Sequence, residues 1–327
     1  MEVKTIDLIF PNDWTGRGVK RVNVAGYEVF PDEAVGRTVE RDPFEVFNCC
    51  CRFVRGKQPY FDTSSARFIF GSNSHACCDV SGVGFSETED GVHLMVICPC
   101  ELDGKSRKES EYKEEVRDAV GIIAAIGGRR AAFRKLYDYD LAMGTGQFSA
   151  PGPVYENPIQ TAPPQTDLGS IGAIGRVSAN IIQKAEPQRE RMKTSLHWFY
   201  KSTCESRGTD SFVECWIALE AMMGGNDDIV EKVAGVLAGA YSTETGKAKA
   251  EFAIGRLYGK RCDIVHEGMR HLPERLDQYL FAVYSDVLCA MADLPSLGKV
   301  RAFLATKEGR RAYEALTGTA PMVAMEA

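Results

Sequence analysis

The sequence predicts an α+β protein: a β-rich N-terminal domain followed by an all-α helical bundle. Three observations carry this prediction. The first hundred residues fall into short apolar or alternating runs bounded by Gly, Asp, Asn and Pro. A stretch dense in Gly, Pro, Thr and Gln follows at 144–168, "GTGQFSAPGPVYENPIQTAPPQTDL". Beyond it, every apolar pattern has the 3.6-residue period of a helix. The boundaries read as 1–145 for the β-rich domain, 146–168 for a linker and 169–327 for the helices.

In the first domain the strands are expected at "KTIDLIF", "RVNVAGYEVF", "FEVFNCCCRFV", "ARFIFGS" and "VHLMVICPCEL". They are rich in Val, Ile and Phe, which suit a pleated, half-buried surface. "TEDGVHLMV" reads as a tight turn feeding the last of them. Residues 106–140 then change character, with Val116, Val120, Ile123, Ile126 and Phe133 on roughly one helical face. This run is expected to be a helix that closes the first domain on its sheet, with Gly127 and Gly128 kinking or splitting it.

In the second domain helices are expected over 169–185, 188–206, 210–224, 228–241, 246–266 and 273–294, with shorter ones at 297–305 and 307–317. Pro187, "GTD" at 208–210, "GGND" at 224–227 and "EG" at 267–268 mark the joints. Asp210 or Thr209 is expected to cap one helix, and Asp228 or Asn226 the next. The segment 211–223 is apolar on most sides, so it belongs at the centre of the bundle. Glu220 lies on it, one turn after Trp216. A buried carboxylate needs a partner, and Arg261 is one candidate. A half-exposed edge is the other reading of Glu220.

The bulk numbers exclude some classes. The chain has 327 residues, 44% hydrophobic and 26% charged, as soluble globular chains do. Its net charge of −6 leaves no global basic footprint for nucleic acid. The helical half is close to neutral, and a local basic patch stands there: Arg256, Lys260, Arg261 and Arg270. No run is long enough to cross a membrane and no secretory signal is visible, so the expected location is cytoplasmic. The eleven cysteines are then expected to be reduced thiols. Those at "NCCCRF", "HACCD" and "ICPCE", with His75, leave a zinc site open as a minor reading, although no CxxC pair is present. No Walker loop, HExxH or GxSxG occurs, and "GSIGAIGR" lacks the dinucleotide fingerprint spacing. His197 and Trp198 read as packing residues, and His271 as part of a loop.

The stretch "GRLYGKRCDIVHEG" offers the sharpest chemistry. It reads as a helix end, with Gly268 as its C-terminal cap. Arg261 and His266 lie five positions apart, about 140° around the helix. A histidine that changes charge near neutral pH moves protons. An arginine forks onto phosphate oxygens. The two suffice where the substrate carries its own nucleophile, as RNA does in its 2′-hydroxyl.

Two separated motifs, "SLHWFYKSTCESRGTDSFVECWIALEAMMGG" and "LYGKRCDIVHEG", resemble the HEPN superfamily, specifically its Apea-like branch. The matching positions are Phe212, Trp216, Leu219, Glu220, Leu257, Tyr258, Arg261, Ile264, Val265, His266 and Gly268, and the resemblance covers roughly 170–295. It implies an all-helical domain that dimerises, with two Arg-x4-His motifs facing one composite cleft. It also implies a metal-independent endoribonuclease, needing no cofactor, in a toxin or anti-phage defence role, with RNA as substrate and an antitoxin or trigger protein as a further partner. Carried over, Arg261 and His266 are catalytic. Glu220, Tyr258, Lys260, Asp263 and Arg256 are supporting or RNA-binding candidates. The sequence departs from the pattern at Cys262, where active members often carry Asn, Asp or His. Part of the superfamily binds nucleotide, RNA or a protein partner without cleaving, and that is the alternative.

Overall fold

The computed structural model describes residues 6–11, 17–19, 21–29, 44–55, 59–61, 75–80, 83–85, 92–127, 134–142, 148–149, 171–205, 207–225 and 227–321. The chain groups into two compact units. One takes Met1–Val120 and Ala131–Leu168, the other Gly121–Arg130 and Gly169–Ala327. Among the described residues the fold is mixed, with ten helices and all strand pairs antiparallel.

The strands are β1 (Ile6–Pro11), β2 (Arg21–Val29), β3 (Phe44–Val46), β4 (Cys49–Arg55), β5 (Pro59–Phe61), β6 (His75–Val80), β7 (Val83–Phe85), β8 (Val92–Pro99), β9 (Glu101–Leu102), β10 (Lys105–Ser106), β11 (Arg134–Ala142) and β12 (Phe148–Ser149). Six form one sheet in the order β12-β11-β2-β8-β4-β3, and β1-β6, β5-β7 and β9-β10 pair separately. The run "FEVFNCCCRFV" is two strands rather than one. Phe47 turns the chain with φ of 53° and sends it back as β4. Strand β2 is central: Val22, Asn23, Val24, Ala25 and Tyr27 are all buried, on both faces. Asn23 is compensated there by donating to Asp140 Oδ1 at 2.9 Å. The "ARFIFGS" run and the turn before "VHLMV" lie outside the described residues.

Residues 106–140 are not one helix. Helix α1 (Glu109–Gly127) stops at the glycine pair, and "RKLYDYDLA" continues as β11 against β2. Its Tyr137, Tyr139 and Leu141 alternate with polar residues, which is strand period. Nor does α1 serve the sheet alone. It is apolar nearly all round from Val116 to Ile126, and Gly121–Gly127 counts with the helical unit. A Cβ built on Gly121 would stand 2.8 Å from the Leu196 carbonyl oxygen, so only glycine allows that approach. Ser285 Oγ donates to the Ala125 carbonyl at 2.5 Å in the same region. Within the 146–168 segment, Phe148–Ser149 pairs with β11.

The remaining helices are α2 (Ile171–Gln183), α3 (Glu186–Cys204), α4 (Gly208–Met223), α5 (Ile229–Ala240), α6 (Thr245–Glu251), α7 (Ile254–Glu267), α8 (Leu276–Met291), α9 (Lys299–Ala305) and α10 (Lys307–Thr317). Helix α4 is central as expected, with Phe212, Cys215, Trp216, Ala218 and Leu219 fully buried. Around it, Ser195 donates to the Ala218 carbonyl at 2.7 Å and lies 2.9 Å from Tyr284 Oη, while Phe199 stacks on the Tyr284 ring at 4.2 Å. The expected caps differ. Pro187 sits inside the first turn of α3 instead of between helices, a position that tolerates its missing N–H. Helix α4 begins before Thr209 and Asp210, and Asp228 precedes α5 without a side-chain cap bond. Asn226 lies outside the described residues.

The expected helix at 246–266 is broken in two. Phe252 and Ala253 interrupt it, with Ala253 at φ of 47°. Two tyrosines satisfy carbonyls at the break: Tyr279 donates to Phe252 O at 2.8 Å and Tyr313 to Ala250 O at 3.2 Å. The break re-aims α7, the helix that carries Arg261 and His266.

Candidate functional site

Helix α7 presents its polar residues on two stripes. Tyr258, Cys262 and His266 recur every four residues and share one face, with Arg261 beside them. Arg256, Lys260 and Asp263 follow another line. The helix stops where glycine permits it: Gly268 is left-handed at φ of 69°, and Asp263 O accepts the N–H groups beyond the last turn. His266 lies in that last turn, exposed.

Arg261 is held from the neighbouring helix. Its Nη2 lies 3.5 Å from Glu220 Oε1, with the side chains only 17% and 15% exposed. The same oxygen accepts the Trp216 indole N–H at 3.0 Å. Trp216 is fully buried, and Tyr258 tilts against it at 5.7 Å between ring centroids. A buried tryptophan thus fixes the carboxylate, and the carboxylate draws the guanidinium to one place. The Arg261 Nε is buried with no hydrogen-bond partner in the chain. It is a donor left over after the structural bonds are counted.

Cys262 hydrogen-bonds to Tyr258, and this bond, before the thiol's charge and burial, holds the Tyr258 phenol above its ordinary range. The phenol therefore stays neutral as a donor beside Arg261. Lys260 and Asp263 neutralise each other at 2.9 Å. Arg256 stays exposed on the same stripe. A shallow groove of about 690 Å³ is lined by Glu220, with Arg191 and Thr194 of α3 and Ile217 and Ala221 of α4. Trp216, Arg191 and Thr194 were not among the sequence candidates. The signal for Trp216 was present, since it stands four residues before Glu220, but its indole hydrogen bond depends on a rotamer that spacing does not state.

No match is found among models of known families, curated proteins or solved structures.

Among the described residues, no group of three or more His, Cys, Asp and Glu side chains is placed to hold a metal ion. Cys49, Cys50, Cys51, Cys98 and Cys100 are buried free thiols, and the side chains of His75, Cys77 and Cys78 lie outside the described set. No described helix is long and apolar enough to cross a membrane.

Proposed function

We propose that the chain is a metal-independent endoribonuclease of HEPN type, with Arg261 and His266 as its catalytic pair. The observation that carries this reading is Arg261 itself. It is half-buried, aimed by the Trp216–Glu220 pair, and keeps an unpaired Nε on the helix that ends in an exposed His266. In this reading the RNA 2′-hydroxyl attacks the adjacent phosphorus. His266 moves the proton, and Arg261 stabilises the charge that develops on the phosphoryl oxygens. In this reading Tyr258 and Arg256 hold the strand. Lys260 is committed to Asp263 in the free protein and reaches RNA only by exchanging partners. The products carry a 2′,3′-cyclic phosphate and a 5′-hydroxyl.

The dimeric, composite form of the site also belongs to this proposal. Val265, next to His266, is 47% exposed, and only Ile182 among the described large apolar side chains is comparably bare. By residue type Val265 belongs in a core, and nothing in the spacing of α7 marks it as exposed. Its exposure beside the pair leaves this face open to a second copy. A cytoplasmic toxin or defence role, with RNA as target, is the biological form of the same proposal.

The test is cleavage of RNA by the purified full chain in excess EDTA, with end-group analysis of the fragments. Cyclic phosphate ends are the expected outcome. If every RNA stays intact with and without divalent ions while nucleotide or RNA still binds, the non-catalytic alternative holds instead. Glu220→Gln sharpens the test. It keeps the shape but removes the charge that holds Arg261, and is expected to lower the rate roughly 10- to 100-fold with little change in the thermal melt. An unchanged rate would remove Glu220 from the mechanism.

A further inference from the structure

Strands β4 and β8 are antiparallel neighbours inside the sheet. The register sets Cys50 opposite Ile97 and Cys51 opposite Val96, so one step along it brings Cys49 opposite Cys98. Directly opposed residues of an antiparallel pair have Cα atoms about 4.5–5.5 Å apart. A disulfide spans about 4.4–6.8 Å between Cα atoms. Burial, and then the Cys98 thiol beside it, pushes the Cys49 thiol well up, and both side chains are fully buried.

The surroundings of this pair are not those of packed small hydrophobes. Cys98 Sγ donates to Glu115 Oε2 at 3.8 Å, and Arg107 Nη1 lies 3.6 Å from the same sulfur. Arg107 and Glu115 are themselves joined at 2.5 Å. Asn48 donates to the other Glu115 oxygen at 2.6 Å, and Arg107 donates to the Pro99 carbonyl at 3.1 Å. A carboxylate is thus in place to take the thiol proton, and a guanidinium to offset the charge left on sulfur. These are the two groups that activate a cysteine. Cys50 and Cys100 also have charges of both signs near them, Glu45 and Arg52 for one and Asp140 and Arg21 for the other. Cys50 points to the opposite face, where burial and then the Glu45 charge push its thiol up to about 12. Burial likewise pushes Cys100 up to about 12. Cys51 shares the face of Cys49 but stands opposite Val96. Arg107, 17% exposed, reaches the surface from this cluster.

We infer that Cys49 and Cys98 are a dithiol that a hydroperoxide converts to an intrachain disulfide across β4 and β8. Glu115 takes the proton of Cys98. The thiolate attacks one peroxide oxygen, so that an S–O bond forms as the O–O bond breaks. The departing hydroxide leaves as water with the proton held by Glu115. The Cys49 sulfur then attacks the Cys98 sulfenic acid. The S–S bond forms, the S–O bond breaks, and the second hydroxide leaves as water with the Cys49 proton. Two electrons pass from the thiols to the peroxide, and an external dithiol reverses the change. Oxidation takes the Cys98 donor away from Glu115 and staples two adjacent strands of the sheet. The inference does not depend on the RNA-cleaving reading.

The full-length protein is treated with hydrogen peroxide, its remaining thiols are alkylated, and unreduced digests are mapped by fragmentation. The expected product is a Cys49–Cys98 link, with Cys50, Cys51 and Cys100 alkylated. Cys50→Ala, Cys51→Ala and Cys100→Ala should keep the link, and Cys49→Ala and Cys98→Ala should lose it. Glu115→Gln, checked for folding by its melt, should slow thiol loss at least about tenfold. Links through other cysteines, sulfinic acid without a link, or intact Cys49 and Cys98 under peroxide that oxidises the half-exposed Cys262 would overturn the inference. Should a variant fail to fold, the wild-type map decides alone.

Discussion

Replacing His266 by alanine is expected to lower RNA cleavage by roughly 10²- to 10⁴-fold, the usual contribution of a positioned general acid–base group. The thermal melt should stay within about 2 °C of wild type, because an exposed side chain is removed and surface substitutions of that kind cost little. Arg261→Ala is expected to lose roughly 10²- to 10³-fold, the scale of one lost donor to a developing oxyanion. It should also cost some stability, since it leaves the Glu220 carboxylate held by Trp216 alone. The double variant should be about as slow as the worse single variant, because two groups serving one transition state are not additive. Arg261→Lys should not restore the rate, as a point charge lacks the planar fork. Initial rates in EDTA and circular-dichroism melts measure all of these. A His266→Ala protein that keeps more than a third of the wild-type rate would end the proposed mechanism.

Much of the helical unit was legible because its signals are local. The central helix expected over 210–224 is Gly208–Met223, and Gly268 stops α7 in the left-handed conformation expected of a C-terminal cap. What was not legible depends on tertiary contacts. Alanine carries no mark that it will turn left-handed at 253, and the break there is completed by tyrosines 26 and 60 residues further along, Tyr279 and Tyr313. The strand β11 was hidden because a helical pattern was extended through Gly127 and Gly128, where the period changes from 3.6 to 2. The double role of α1 was hidden for another reason. A helix apolar on every side does not say which neighbours will cover it.

The candidate site divides in the same way. A buried carboxylate demanded a cation, and Arg261 fills that place. Contacts within α7, such as Lys260 with Asp263 and Tyr258 with Cys262, follow from spacings of three and four residues. The exposure of Val265 does not follow from spacing, because its residue type reads as core until the neighbouring helices are placed. Cys262 also changes meaning. By pattern it departs from a family position that is often polar, yet in the structure its thiol acts on the Tyr258 phenol and raises it above its ordinary range.

Asp286 is where the helical unit should be most vulnerable, and no sequence motif marks it. Its carboxylate is fully buried on α8 and accepts four hydrogen bonds. These come from Tyr241 Oη at 2.5 Å, Ser296 Oγ at 3.0 Å, the Lys299 N–H at 3.2 Å and the Val300 N–H at 2.8 Å. The last two are the opening N–H groups of α9, so one side chain caps a helix from another helix and ties α5 to both. Burial, and then the Asp286 charge, pushes the Tyr241 phenol up, which keeps it a donor at physiological pH. Asp286→Ala strands four donors at once, the Val300 N–H buried and the other three part-buried, and leaves a void. The expected loss is about 3–5 kcal/mol, the range for breaking a buried charged network. For a unit of this size that corresponds to a fall in Tm of roughly 10 °C or more. Asp286→Asn keeps the volume, but its amide nitrogen must face one of these donors, so it should fall between alanine and wild type. Melts of the two variants by circular dichroism check the order. A Tm within 2 °C of wild type for Asp286→Ala would mean that water replaces the carboxylate at little cost and that α9 is held by its apolar face, through Val300, Phe303 and Leu304.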